Sequence, residues 1–388
     1  MQSDLLHPTA AKGYLPGMIR ACQIASKGAP LHSKDITVFA AFCSFDMFSS
    51  ILFGEFTGLA SGQSSNDDNE RFCDVTLEAM KNINPMVRNP MVLLKKKIGI
   101  KTEDYVAFEE NFEDSRRIAT RKMKEFKLRK ENGGLVNDFE KNSYASRSID
   151  RFLASIGEKD ALKEDDIIEI LVVALISALD TTSSILNWSL IHLAMNPEVQ
   201  KELRREVEAN IASSGVGSLT ADCFTKSNNV YLDGFLRENQ RMTKPIGVNL
   251  VKENIMDEVE IHGKTIPKGN VFILDSRSAG MDPSLMKDPD VFDPARWSPK
   301  EVQKRKGTPA EFLDHPLYHG AFSAGARKCP GSRVASYEIK ALLSQLLLDW
   351  EISFANNGST KPQTWRDIKY YNGLTIRPEV PELNFKRR

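Results

Sequence analysis

Cysteine is scarce and poorly spaced for joint work: the five, at 22, 43, 73, 223 and 329, include no Cys-x-x-Cys pair. That argues against a disulfide framework and against a zinc or iron–sulfur site, and the expectation is reduced thiols in an intracellular protein. Of six histidines, only His315 and His319 stand four apart. They flank Pro316 in a loop, where exposure is expected rather than metal binding. Net charge is missing as well, because 52 basic residues balance 52 acidic ones. Nothing therefore draws the whole chain toward nucleic acid or an anionic membrane. Residues Met1 to Pro8 carry no apolar core and no basic presequence. The apolar run Ile170–Leu179 is too short for a membrane span and is broken by Asp180-Thr-Thr-Ser-Ser184.

What the chain does have is an apolar content of 41% over 388 residues, enough for a sizeable core. Its most specific stretch is Phe322-Ser-Ala-Gly325-Ala-Arg327-Lys-Cys329-Pro-Gly331. Two glycines and a proline describe a tight loop with one cysteine at its tip. From Ser332 to Leu348 apolar residues recur at helical spacing, so Cys329 stands just ahead of a helix N-terminus. Cationic neighbours and the helix dipole both favour the thiolate. A lone cysteine in such a turn is otherwise more often a small buried hydrophobe.

The rest reads as largely helical. Helices are expected near Ile36–Cys43 with Asp35 as N-cap, at 70–83 ending at Asn84-Pro85, and at 102–130, followed by a polar linker to Ser148. The 102–130 helix carries eight basic residues between Arg116 and Lys130 against one glutamate. A solvated face explains this more simply than a membrane- or partner-facing one. The next helix, Ile167–Met195, is apolar nearly all round and roughly 48 Å long counted from Asp165, which suggests burial on every side. Asp180 and Thr181 in its middle have two readings, even on the residues alone: hydroxyls bonding back to i−4 carbonyls, or a proton relay to a ligand. Helices at 198–211 and 230–242 follow. Three β segments between Val248 and Leu274 turn at His262-Gly263, and one more strand is expected at Leu374–Pro378.

The motif Phe322-x-x-Gly325-x-Arg327-x-Cys329-x-Gly331 resembles the haem-binding signature of the cytochrome P-450 (haem-thiolate monooxygenase) superfamily, with every defining position filled. The resemblance implies a mainly α fold with a small antiparallel β region, one domain over 1–388, and haem b ligated through Cys329. Phe322 would pack over the proximal face and Arg327 would pair with a propionate. Asp180 and Thr181 match the family's central-helix motif and would deliver protons and steady the bound dioxygen, although Ala178 stands where glycine is usual. Leu171, Ala174, Leu175, Ser177 and Ala178, with Val248 and Asn249, would line a distal pocket. Glu238 and Arg241 would form a buried structural triad with Arg296.

The implied activity inserts one atom of dioxygen into a small lipophilic substrate, sterol-like or fatty-acid-like, with electrons from a ferredoxin or a flavoprotein reductase. The alternative is a non-catalytic haem-binding remnant. Ser148–Ser155 is most similar to the mitochondrial branch, whose ferredoxin contacts fall here on Asp233 and Arg237. Met1 corresponds to a point near the end of the family's third helix. The fold is therefore expected to be N-terminally truncated, and any membrane association through the missing part stays open.

Overall fold

The computed structural model describes residues 8–388 except 65, 158–160, 162, 226–228, 245, 247–249, 275, 316–317, 319–320, 324, 326–327, 357–360 and 374. The expected positions Val248, Asn249 and Arg327 lie outside the described residues.

Helices follow one another almost without interruption through the first half: α1 (Pro8–Ala25), α2 (Ile36–Leu52), α3 (Asp67–Arg88), α4 (Pro90–Lys97), α5 (Glu103–Glu131), α6 (Asp138–Lys141), α7 (Tyr144–Ser155), α8 (Glu164–Met195) and α9 (Pro197–Ser214). Their ends obey local chemistry. Asp35 accepts the Val38 N–H at 3.1 Å to cap α2, and Thr102 accepts the Tyr105 N–H at 3.4 Å to cap α5. Glu164, Asp165 and Asp166 occupy the first turn of α8, where the helix dipole favours acids. Gly215, left-handed at φ 71°, stops α9. Two readings need correction. Helix α3 runs past Asn84-Pro85 to Arg88, and the polar stretch before Ser148 contains α6 and the start of α7.

The second half has short helices α10 (Asp222–Thr225), α11 (Val230–Met242), α12 (Ser276–Gly280) and α13 (Pro299–Arg305), then the long α14 (Ser332–Asp349). Strands β1 (Leu250–Glu253) and β4 (Val271–Leu274) pair antiparallel, as do β2 (Glu258–Ile261) and β3 (Lys264–Pro267), which turn at His262 and Gly263 with φ 49° and 73°. Strand β5 (Trp350–Phe354) pairs with β8 (Leu383–Arg387), and β6 (Tyr370–Asn372) with β7 (Ile376–Pro378). The β5–β8 pair was not anticipated, although Trp350–Phe354 and Leu383–Lys386 both alternate apolar and polar residues.

The chain forms two compact units, one of residues 1–229, 330–369 and 378–388, the other of 230–329 and 370–377. In the first, α2 packs on α8 and α1, α14 packs on α1, and α3 packs on α5. The contact of the Ser26–His32 turn with the next loop is so close that a Cβ on Gly28 would meet the Ala60 carbonyl oxygen at 1.8 Å. Asp46 of α2 clasps that same loop. Its carboxylate accepts from the Thr57 hydroxyl and from the Leu59 and Ala60 N–H groups, the latter two at 3.1 Å. In the second unit α11 packs on the Pro294–Trp297 turn.

Helix α8 is long and apolar enough to cross a membrane by length and composition, the one such helix among the described residues, and 61% of that stretch is buried in the fold. It is not buried all round, however. Ile170 is 37% exposed and Val173 50% exposed, on a stripe that continues through Ala174, Ser177, Ala178 and Thr181.

Two buried carboxyls make stability pH-dependent. Burial lifts Glu338 of α14 to about 8, and it lifts Asp46 to about 6 against the opposing hydrogen bonds from Thr57, Ala60 and Leu59. An unfolded glutamate titrates near 4.3. Between that value and about 8 the folded chain keeps a proton the unfolded chain has lost, so stability falls as pH rises. Glu338→Gln removes that titration. In urea unfolding the variant is expected to gain on the wild type as pH rises from about 5 to about 8, by roughly 3 kcal/mol at the upper end. Parallel pH profiles for the two proteins would contradict this.

Candidate functional site

The cysteine loop is closed by its own backbone. The Cys329 N–H donates to the Phe322 carbonyl at 2.8 Å and the Lys328 N–H to the Gly325 carbonyl at 3.1 Å. Ser323 and Gly325 take left-handed φ of 58° and 73°, which reverses the chain within a few residues. A Cβ on Gly325 would meet nothing within 4 Å, so glycine serves the backbone conformation there, not a close contact. Gly331 has an ordinary φ of −83° and sits at the head of α14, where its carbonyl accepts the Ala335 N–H at 2.8 Å.

Among the five cysteines, none in a disulfide, Cys329 alone is not fully buried. Burial raises the thiols of Cys22, Cys43 and Cys73 well above the ordinary range, which makes them poor nucleophiles and poor ligands. The residues present thus fit a haem-thiolate ligand set: one part-exposed sulfur presented by a hydrogen-bonded loop, beside a half-buried Phe322 and an exposed Lys328. The described residues contain no cluster of three or more His, Cys, Asp or Glu that could hold a metal ion by themselves.

On α8 the expected residues separate into two groups. Ala174, Ser177, Ala178 and Thr181 share the open stripe, at spacings of three and four. Leu171 and Leu175 do not join them; both are buried in the core of the first unit. Asp180 is also buried, at 1% exposure, one position off the stripe. The Thr181 hydroxyl donates to the Ser177 carbonyl at 2.8 Å, and the Ser177 hydroxyl donates to the Val173 carbonyl at 2.7 Å. Both are back-bonds to the preceding turn, and the conservative reading anticipated the one from Thr181.

Glu238, Arg241 and Arg296 do come together. Arg241 grips the Glu238 carboxylate with two hydrogen bonds, 2.9 and 2.7 Å, and the Arg296 Nε adds a third at 3.1 Å. The Trp297 indole N–H donates at 2.8 Å and the Asp293 backbone N–H at 3.1 Å. Spare guanidinium donors go to carbonyls: Arg241 to Gly280, and Arg296 to Lys287, Asp288 and Val291. The motif spacing found the three charged members. It missed Trp297, although that residue directly follows Arg296.

A second network adjoins it and had no sequence signal at all. Asp314 accepts from Arg237 at 2.8 Å and from Arg305 at 2.7 and 2.8 Å, and both guanidinium groups stand over the Trp297 ring, 4.0 and 5.1 Å from its centre. Burial raises the Asp314 carboxyl, but the hydrogen bonds and charges of Arg305 and Arg237 outweigh it and hold it below the usual range. Arg237 is therefore committed to Asp314 and Trp297 and does not stand as an open charge for a partner. Two further Glu-x-x-Arg pairs, Glu113/Arg116 and Glu202/Arg205, lie at the surface.

The sequence profile of the family described as Cytochrome P450 matches residues 21–381. Curated relatives include cytochrome P450 monooxygenase 103 of Postia placenta, 29% identical over 58% of this chain and 44% of its own length. The mitochondrial sterol 26-hydroxylase of Oryctolagus cuniculus is 34% identical over 47% and 32%. Human cytochrome P450 4F11 is 29% identical over 56% and 40%. The matched part thus spans less than half the length of each of these relatives. Among solved structures, the cytochrome P450DA heme domain superposes with a TM-score of 0.72 at 21% identity, covering 98% of this chain and 74% of that one, which is evidence of fold.

Removing the carboxylate would leave two buried or half-buried guanidinium groups uncompensated. Glu238→Ala is expected to cost roughly 3–5 kcal/mol in urea unfolding, against less than about 1 kcal/mol for Glu202→Ala at an exposed pair. Similar costs at the two positions would show that the triad is not a stabilising centre.

Proposed function

The chain belongs to the cytochrome P450 family, and on that premise we propose that it is a haem-thiolate monooxygenase of a small lipophilic substrate. The observation that carries the reading is Cys329, the one part-exposed cysteine, on a loop held by its bond to Phe322. When bound, haem supplies the activation of dioxygen, with electrons from a ferredoxin or flavoprotein donor. Cys329 would ligate the iron through sulfur. Gly325 supplies the left-handed turn that aims it, and Phe322, Arg327 and Gly331 complete the loop. The triad of Glu238, Arg241 and Arg296 would act at a distance from the chemistry by fixing the segments that lead into that loop.

The α8 stripe supplies an apolar wall. Ala174 and Ala178 are small enough to leave room for a substrate, Ile170 and Val173 exclude water, and Ser177 and Thr181 keep their hydroxyls turned to the helix. Thr181 would receive a hydrogen bond from an oxygen-bearing ligand at Oγ1, and the buried Asp180 carboxyl would pass a proton toward it. Both units are taken as parts of one P450 domain, since the matched profile runs across both. The relatives named for sterol hydroxylation and for mitochondria support a sterol-like substrate and a ferredoxin donor.

The protein reconstituted with iron protoporphyrin IX, reduced with dithionite and treated with carbon monoxide, should show the red-shifted Soret band of thiolate ligation. Cys329→Ser should lose it. A band that survives the substitution would overturn the assignment. With substrate and an electron donor, Thr181→Val should lower turnover roughly 10²-fold while keeping the band. A thiolate band without product from the wild type under any donor would favour the non-catalytic haem-binding reading.

A further inference from the structure

Helix α14 is seated on α1, and Glu338 stands near the middle of α14 with 2% of its surface exposed. Its helical neighbours one turn away, Val334, Ala341 and Leu342, are buried and apolar. Cys22 of α1, itself fully buried, lies within reach of the Glu338 charge, which raises its thiol. That thiol does not serve the carboxyl, because it donates to the Met47 sulfur of α2 at 3.4 Å. Glu338 has no hydrogen bond and no ion pair among the described residues, and its Oε1 is shut off from solvent.

The charged groups on and around α14 do not make up this deficit. On α14 itself, Arg333, Tyr337 and Lys340 fall on more open sides of the helix. Asp349 is engaged with the Ser26 hydroxyl and Gln345, and Arg204 of α9 with the Leu347 and Trp350 carbonyls, all at the far end of α14. Asp46 of α2 acts on Cys22. Burial alone acts on the Glu338 carboxyl, and no charge from His192 of α8, Cys223 of α10, Glu351 of β5 or His32 of the turn after α1 relieves it.

A carboxyl so placed is tolerable as the neutral acid and not as the anion. Once ionised it needs water, and water reaches it only where α14 parts from α1. We propose that Glu338 is a latch on the α1–α14 seam, closed while the carboxyl holds its proton and released when the proton leaves. The direction follows from linkage. In the parted state the carboxyl is solvated and titrates at about 4.3, and in the closed state at about 8. Between those values each unit of rising pH favours the parted state by up to about tenfold, and above the higher value the effect levels off. The chain runs from Cys329 through Pro330 and Gly331 straight into α14, so release of α14 also loosens the anchor of that cysteine. This second effect rests on Cys329 as the haem ligand, and the latch does not.

The test is labelling of Cys22 in the full chain with a thiol reagent, read by peptide mapping. Glu338→Gln cannot ionise, and its rate at each pH cancels the reagent's own dependence on thiolate. The ratio of wild-type to Glu338→Gln rate at Cys22 should rise roughly tenfold or more from about pH 6 to about pH 8. The same ratio at Cys73, fully buried on α3, should stay level. Glu338→Met, with an apolar side chain of similar length, should behave as Glu338→Gln does, which separates lost ionisation from any disturbance by the amide. A flat ratio at Cys22 overturns the proposal. So does a rise at Cys73 in step with Cys22, because the whole chain would then be unfolding instead of one seam opening. With haem bound, the carbon monoxide thiolate band should weaken over the same range in the wild type and hold in Glu338→Gln. A steady wild-type band beside a rising Cys22 ratio would overturn the link to Cys329 and keep the latch. No band at any pH would count against Cys329 as ligand, and the Cys22 ratio would still decide the latch.

Discussion

A carboxylate removed from water must have its charge answered where it stands, and at Glu238 four groups do so: Arg241, Arg296, the Trp297 indole and the Asp293 amide. This constraint organises the second unit. It pins α11 to the Pro294–Trp297 turn, and the remaining guanidinium donors tie that turn and Gly280 into one network through carbonyls. Trp297 then serves two networks at once, since its ring carries the guanidinium groups that Asp314 holds. The segment from Pro309 to Asp314, which leads toward the cysteine loop, is anchored by the same carboxylate that fixes Arg237 and Arg305.

The first unit depends on burial with less compensation. Asp46 has hydrogen bonds to relieve it, whereas Glu338 is raised by burial alone. Two acids whose titration burial has raised, to about 6 and about 8, give that unit its pH sensitivity. The paired charges of the second unit give it a different one, because Asp314 is stabilised as the anion. Over the range in which Glu338 loses its proton, Asp314 stays ionised and its pairing is unchanged.

Legibility from sequence followed the range of the interaction. Helix starts were readable: Asp35 and the expected start at 102 mark boundaries within a residue or two of those observed. Motif spacing placed the cysteine loop and the three charged members of the triad. Helix α3 defeated the proline rule, because its amphipathic face packs on α5 and the helix persists through Pro85. The pairing of β5 with β8 joins residues about thirty apart in sequence; each strand alternates, but nothing local says which segment it pairs with. Composition also misjudged α8. Its apolar residues surround the axis, yet one stripe is left half-buried or exposed among the described residues, and hydropathy cannot tell a face turned to the core from one left open. The Asp314 network was invisible for the same reason of range.

The orientation of two hydroxyls on that stripe has a chemical corollary. Thr181 gives its proton to Ser177, and Ser177 gives its own to Val173, so both oxygens face outward with lone pairs only. A molecule lying along this face is welcomed if it brings hydrogen-bond donors of its own, such as an alcohol or a protonated oxygen. One that offers only acceptors must first unhook a hydroxyl from the helix, at a cost of about 1 kcal/mol. The stripe would thereby select by polarity as well as by shape.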